Sequence, residues 1–180
     1  MIIIFEGPRG AGKTTLAKAT VDAIIKRGKA ARYVKFQRGD KPFSDMKHQI
    51  RDLLEHDWET TVIDRFHLTE FVMRMYDHKV LANQLYKDTQ KIDDLLFKIP
   101  VIRTVIVTRD ESLRLERIIR RNDGRSEEMP SSTSQFLWQS AVTGFCIDHT
   151  IINNTQSDFD HAVNYLAGLP FEQRRKNATR

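Results

Sequence analysis

Residues 2–14 read Ile-Ile-Ile-Phe-Glu-Gly-Pro-Arg-Gly-Ala-Gly-Lys-Thr, an apolar run of strand length that ends in a carboxylate and passes at once into a glycine-rich turn. The turn, Gly7 to Thr14, carries the spacing G-x4-G-K-[ST]. That spacing works only between a strand and a helix. Its glycines let the backbone curl until the N–H groups point inward, and the helix that follows adds the positive end of its dipole, so a polyphosphate can exchange its water for fixed donors. On this reading Gly7, Arg9, Gly10, Ala11, Gly12, Lys13, Thr14 and Thr15 build a phosphate cradle. Lys13 reaches the β- and γ-phosphates of a bound nucleotide, and the Thr14 hydroxyl ligates Mg²⁺.

The rest of the chain repeats the same alternation of short apolar runs and longer amphipathic stretches, the pattern of a parallel sheet with helices on both faces. Strands are predicted at Ile2–Glu6, Arg32–Phe36, Thr60–Ile63, Arg103–Val107 and His149–Ile152. Helices are predicted at Lys13–Arg27, Phe43–His56, His67–Tyr76, Val80–Phe97, Glu111–Arg121, Ser134–Cys146 and Phe159–Leu169. At about 150 residues per domain, the 180 residues make one domain, residues 1–170, followed by a tail. With 40% apolar residues the chain can bury a core, and no run approaches the roughly 18 apolar residues of a membrane span. One cysteine, Cys146, excludes an internal disulfide framework. It reads as a buried thiol in an apolar helix. The six histidines show no metal-ligand spacing. A soluble protein of a reducing cytoplasm is expected.

The net charge is +5, but the last ten residues, 171–180, hold four cations and one anion. The body is therefore weakly basic, and the tail reads as a solvated terminus, with a contact to nucleic acid as its alternative.

Two further segments carry charge where a phosphate chemistry would need it. Thr60-Thr61-Val62-Ile63-Asp64 is a strand ending in a carboxylate, and strand ends of a parallel sheet converge on the ligand crevice. Asp64 is thus placed to hold a metal shell, to orient an acceptor, or to cap a helix. Arg65 beside it either meets phosphate or pairs with an acid. Glu111 to Arg125 sets Arg114, Arg117 and Arg121 along one helical face, and Asn122-Asp123-Gly124 marks a bend. Such arginines can close over a transferring phosphoryl group as a lid around 117–128. Their neighbours Asp110, Glu111, Glu116 and Asp123 keep open a solvated helix laced with ion pairs.

Taken together, Phe5 to Thr15, Lys35-Phe36-Gln37-Arg38, Val62-Ile63-Asp64-Arg65-Phe66, the arginines of 117–125 and Asn153-Asn154-Thr155 resemble the P-loop kinases of the thymidylate kinase and deoxynucleoside kinase group. The resemblance implies an α/β, three-layer fold with a five-stranded parallel sheet of order 2-3-1-4-5, ATP as donor and Mg²⁺ as cofactor. It implies that Lys13, Asp64, Arg65, Arg117 and Arg121 carry catalysis, that Thr14 and Asp64 organise the metal, and that Asn154 borders the donor base. Phe36, Arg38, Arg65 and Phe66 would bind the acceptor; the two aromatics either stack on its base or fill core.

Two departures bear on the acceptor. Thymidylate kinases carry a carboxylate in the middle of the phosphate loop where this chain has Arg9. Deoxynucleoside kinases carry a glutamate after the second strand, as the base for a 5′-hydroxyl, where this chain has Phe36-Gln37-Arg38-Gly39-Asp40. A monophosphate is already ionised and needs no strong base, so a cation-rich site without that glutamate favours a nucleotide acceptor. The expected activity is transfer of the γ-phosphoryl group of ATP to a deoxynucleoside monophosphate. The alternatives are a nucleoside, a DNA 5′-hydroxyl or modified base, and a nucleotide-dependent switch. Pairing into a homodimer is left open.

Overall fold

A computed structural model describes residues 1–36, 42–55, 60–77, 82–97, 99, 102–121, 131–145 and 147–169. The elements run β1 (Ile2–Glu6), α1 (Lys13–Lys26), β2 (Ala31–Lys35), α2 (Pro42–Glu55), β3 (Thr60–Asp64), α3 (His67–Tyr76), α4 (Ala82–Phe97), β4 (Ile102–Thr108), α5 (Glu111–Arg121), α6 (Ser131–Gly144), β5 (His149–Ile152) and α7 (Gln156–Ala167). The strands form one sheet in the order β2-β3-β1-β4-β5. Every pairing is parallel.

β1 lies between two neighbours and is buried along its whole length, which is why its sequence is a continuous apolar run rather than an alternation. Its side chains still divide by parity. Ile3 and Phe5 pack with Leu16, Ala17 and Ile24 of α1, Val62 of β3 and Leu166 of α7. Ile2 and Ile4 pack on the other face with Met46 and Ile50 of α2, Ile63 of β3 and Ile92 of α4. A third cluster joins α3, α4 and α6 through Leu68, Phe71, Leu85, Leu137 and Trp138. Register places Phe5 opposite both Asp64 and Val105, and Lys35 opposite Asp64. The carboxyl ends of β1, β2 and β3 therefore finish level, at the edge where open α/β sheets hold ligands.

Predicted and observed elements differ mainly at their ends. α7 begins three residues before the predicted Phe159. Its start is a capping box, in which the Thr155 side chain accepts from the Asp158 N–H while the Asp158 side chain accepts from the Thr155 N–H. α6 likewise begins at Ser131 instead of Ser134. Cys146, the predicted bend at 122–124 and the tail 171–180 lie outside the described residues. Among the described residues, no helix is long and apolar enough to cross a membrane.

Candidate phosphate-transfer site

The loop between β1 and α1 is curled and is contacted by Asn153, Arg114 and Arg117. Gly12 has φ 94°, and a Cβ there would lie 2.4 Å from Asn153 Nδ2 and 2.8 Å from Arg117 Nη1. A side chain is thus excluded both by conformation and by two neighbours that themselves face the loop. Asn153, buried, donates from Nδ2 to the Ala11 carbonyl at 2.9 Å. Lys13 is buried, and its ammonium donates to the Pro8 carbonyl at 2.7 Å. α1 starts directly behind the loop, with the Leu16 N–H donating to the Gly12 carbonyl.

α5 closes against the outer side of the loop. Arg114 is 3% exposed. Its Nε and Nη2 each donate to Glu111 at 2.7 Å, in a two-pronged pair, and Nη1 donates to the Arg9 carbonyl at 3.0 Å. A Cβ on Gly10 would lie 2.9 Å from the Arg114 carbonyl oxygen and from its Cγ. A carbonyl turned toward bound phosphate would repel it. The Arg9 carbonyl is instead engaged by Arg114.

At the end of β3, Asp64 is fully buried. Its Oδ2 accepts from the Thr14 hydroxyl at 2.6 Å and from the Tyr33 hydroxyl at 2.8 Å. Its Oδ1 is buried and without a hydrogen-bond partner. An unpartnered carboxylate oxygen beside a threonine hydroxyl is an oxygen-donor set that suits a hard divalent cation, so Thr14 and Asp64 fit Mg²⁺. Burial pushes the Tyr33 phenol well above its ordinary range, and the hydrogen bond and the charge of Asp64 push it further the same way. Tyr33 therefore stays a donor to Asp64.

Arg65 follows with φ 67°, in the left-handed region, and its Nε is buried without a hydrogen-bond partner. The next helix is capped by a distant acid. The Glu6 carboxyl accepts from the Leu68 N–H at 3.0 Å, from the Thr69 N–H at 3.1 Å and from the Thr69 hydroxyl. Burial pushes Glu6 above the usual carboxylate range, opposed by His67, the Thr69 hydroxyl and the backbone amides.

The structure brings together Gly7 to Thr14, Asp64, Arg65 and Arg117. Thr15 is exposed on α1. Phe66 is corrected: its ring has no exposed surface and packs in the core against Phe36, 5.6 Å away and edge-on, so it supports the site from beneath and offers no face to a base. Phe36 is partly exposed. Asn154 lies next in the chain to a residue that touches the loop. Its Oδ1 accepts from the Asp110 N–H at 2.7 Å, and the neighbouring Asn153 is the one that meets the loop. Arg38, the side chain of Arg121 and the lid beyond it lie outside the described residues. Sequence reasoning missed the roles of Glu6, Tyr33, Arg114 and Asn153. Among the described residues, no cluster of three or more His, Cys, Asp or Glu could hold a metal, which leaves the hydroxyl and carboxylate pair as the candidate.

Neither a family model nor a curated protein sequence matches the chain. Solved structures do. The YorR protein of Bacillus subtilis, in complex with phosphorylated GDP, matches with a TM-score of 0.64 at 20% identity over 92% of this chain and 94% of that one. Polyphosphate kinase 2 of Arthrobacter aurescens TC1 gives a TM-score of 0.68 at 14% identity, again over 92% of this chain, which spans 65% of that protein. Thymidylate kinase of Ehrlichia chaffeensis gives 0.51 at 16% identity over 92% of this chain and 96% of that one. The chain shares its fold with these three proteins. At these identities the likeness speaks for architecture, and the chemistry has to be argued from the residues.

Proposed function

We propose that the chain is a Mg²⁺-dependent phosphotransferase that moves the γ-phosphoryl group of ATP to a nucleotide acceptor, a deoxynucleoside monophosphate. One observation carries the reading. The curled loop with its buried lysine and the Thr14–Asp64 pair with a free carboxylate oxygen meet at one edge of the sheet, next to an arginine whose Nε has no protein partner.

In this reading the loop amides and Lys13 bind the donor phosphates, and Thr14 and Asp64 hold Mg²⁺, which when bound neutralises charge on the β- and γ-oxygens. Arg65 holds the acceptor phosphate in line. An ionised acceptor oxygen forms the new P–O bond as the bond from the γ-phosphorus to the bridging oxygen breaks, and ADP leaves with that electron pair. No side chain has to remove a proton from the acceptor, in keeping with a sequence that has Phe36-Gln37-Arg38-Gly39-Asp40 where deoxynucleoside kinases carry their glutamate base. Arg117, whose guanidinium lies beside Gly12, would stabilise the transferring group.

The test is a panel of nucleosides, nucleoside monophosphates and DNA 5′-ends with ATP and Mg²⁺, scored for phosphorylated product and ADP. Monophosphates should be the substrates, and phosphorylation of nucleosides or DNA ends instead would move the assignment to those acceptors. Lys13→Ala should lose turnover and keep its circular dichroism spectrum. A near-normal rate in that variant would refute the kinase reading.

A further inference from the structure

The left-handed backbone of Arg65 needs an explanation. A non-glycine residue at φ 67° is uncommon, and it persists only where the surroundings over-determine it. Here both ends of the turn are tied to consecutive residues of β1. On the near side, the Arg65 N–H donates to the Phe5 carbonyl at 2.9 Å. On the far side, Glu6 caps α3 through the two amides and the hydroxyl of Leu68 and Thr69. The chain between these anchors, Arg65 to His67, is too short to relax on its own.

The fit of this clamp is unusual in composition. Ile2, Ile4 and Glu6 project to the same face of β1, so a carboxyl continues an apolar row and is fully buried there. Burying an acid costs free energy unless its oxygens are satisfied. Those of Glu6 are satisfied by α3. His67, also fully buried, stands between Glu6 and Asp93 of α4, its Nδ1 3.9 Å from one carboxyl and its Nε2 3.4 Å from the other. It packs edge-on to Phe66 and Phe145.

We propose that Glu6 is a positioning residue that clamps the turn after β3 and thereby fixes the strained conformation of Arg65 relative to the phosphate loop. Glu6 touches no substrate. It is joined by one peptide bond to Gly7, the first residue of that loop, and through α3 to the residues next to Arg65, so a single side chain sets the distance between donor cradle and acceptor cation. That Arg65 grips the acceptor rests on the proposed kinase function; the clamp itself does not.

Glu6→Gln tests it, because the amide puts a donor where the protein already presents N–H groups. In Glu6→Gln, the Arg65 Nε–H resonance, identified by its loss in Arg65→Lys, should exchange with solvent at least about tenfold faster. With the monophosphate preferred in the panel, kcat should fall by about tenfold to a hundredfold, while ATP dissociation stays within about twofold. The double variant Glu6→Gln/Arg65→Lys should be no slower than Arg65→Lys alone, since both changes act on one group. Unchanged Nε–H exchange, or effects that multiply in the double variant, would overturn the proposal. If Glu6→Gln fails to fold, Thr69→Val, which removes one of the three donors, should show the same pattern at smaller size, and wild-type behaviour there would overturn it as well. If the panel yields no product, the kinase reading fails and the exchange rate alone decides the clamp.

Discussion

The two faces of the sheet bury polar groups for opposite ends. On the face covered by α1 and α7, the core is apolar almost throughout, and the polar residues gather where the strands stop: Thr14, Tyr33 and Asp64 form one small group in which the Asp64 Oδ1 has no hydrogen-bond partner. On the face covered by α2, α3 and α4, Glu6, His67, Glu70 and Asp93 lie within the protein, each at most 5% exposed. Glu6 there is occupied with the amides of α3, and Glu70 is paired with Arg74 one turn along. On the proposed function, the polar groups of the first face serve a ligand. Those on the second hold the chain to itself, at the cost of desolvating charge, and the return on that cost is the placement of Arg65.

The difference predicts different losses. The largest belongs to the donor side. Arg114→Met removes the guanidinium from the Arg9 carbonyl and leaves that oxygen without its donor. A hydrogen bond from a charged group contributes about 1.5–3 kcal/mol, so ATP dissociation should rise by about tenfold or more, measured by calorimetry. Acceptor KM should change little. If Arg114→Met weakens the acceptor as much as the donor, the division between the two sides is wrong. Arg114→Lys should restore the charge without the two-pronged pair to Glu111, and so recover only part of the loss.

Tyr33→Phe is the next in size. It removes one of the two donors to Asp64 Oδ2 and leaves Thr14 as the other. Partners that orient a metal-binding carboxylate are worth about 10–100-fold in metal affinity. The expectation is about a tenfold rise in the Mg²⁺ concentration needed for half-maximal rate, and a matching loss in Mn²⁺ binding followed by electron paramagnetic resonance. The exchange of the Arg65 Nε–H should not move, because Tyr33 belongs to the other face. A change there would show that the two faces are coupled through Asp64 and Arg65.

How much of this could be read from residues alone follows from how local each signal is. The phosphate loop was legible because its meaning lies within eight consecutive residues. The alternation of strands and helices was legible because a buried parallel strand is a run of apolar side chains and a covering helix repeats near every 3.6 residues. The Glu6 cap was not, because it joins residues 62 and 63 positions apart in the chain, and a glutamate after four apolar residues reads equally well as a strand end. Tyr33 sits in β2 opposite Val62, and nothing in Ala-Arg-Tyr-Val-Lys says that its hydroxyl crosses to Asp64. Phe66 stayed ambiguous between stacking and core because it follows Asp64 and Arg65 directly in the sequence. The left-handed turn at Arg65 sends the next side chain into the core, and no local pattern announces that turn. Asn153 and Asn154 differ by one position, and only the backbone decides which reaches the loop.

The smallest predicted effect concerns stability and separates buried acid from exposed acid by sign. Glu6 is raised above its ordinary 4.5, with burial as the main cause. A group whose folded pKa is raised favours the folded state fully below its unfolded value, and that advantage is lost as pH rises through the folded pKa. Asp88, Asp110 and Asp158 are instead lowered from 3.8, by hydrogen bonds from Gln84, Ser112 and Thr155 respectively. Their contribution is present above 3.8 and lost as pH falls through the lowered values. Compared with Glu6→Gln, which cannot titrate there, the wild type should therefore lose stability steadily as pH rises above 4.5, by about 1.4 kcal/mol for each unit by which Glu6 is raised. Below 3.8 the two proteins should run parallel, because both keep the three aspartates. Urea melts at a series of pH values read the difference directly. A gap that instead widened in favour of the wild type with rising pH would mean that the amides and hydroxyl of α3 outweigh desolvation, and that the second face holds its acid as a stabilising anion at no cost to the fold.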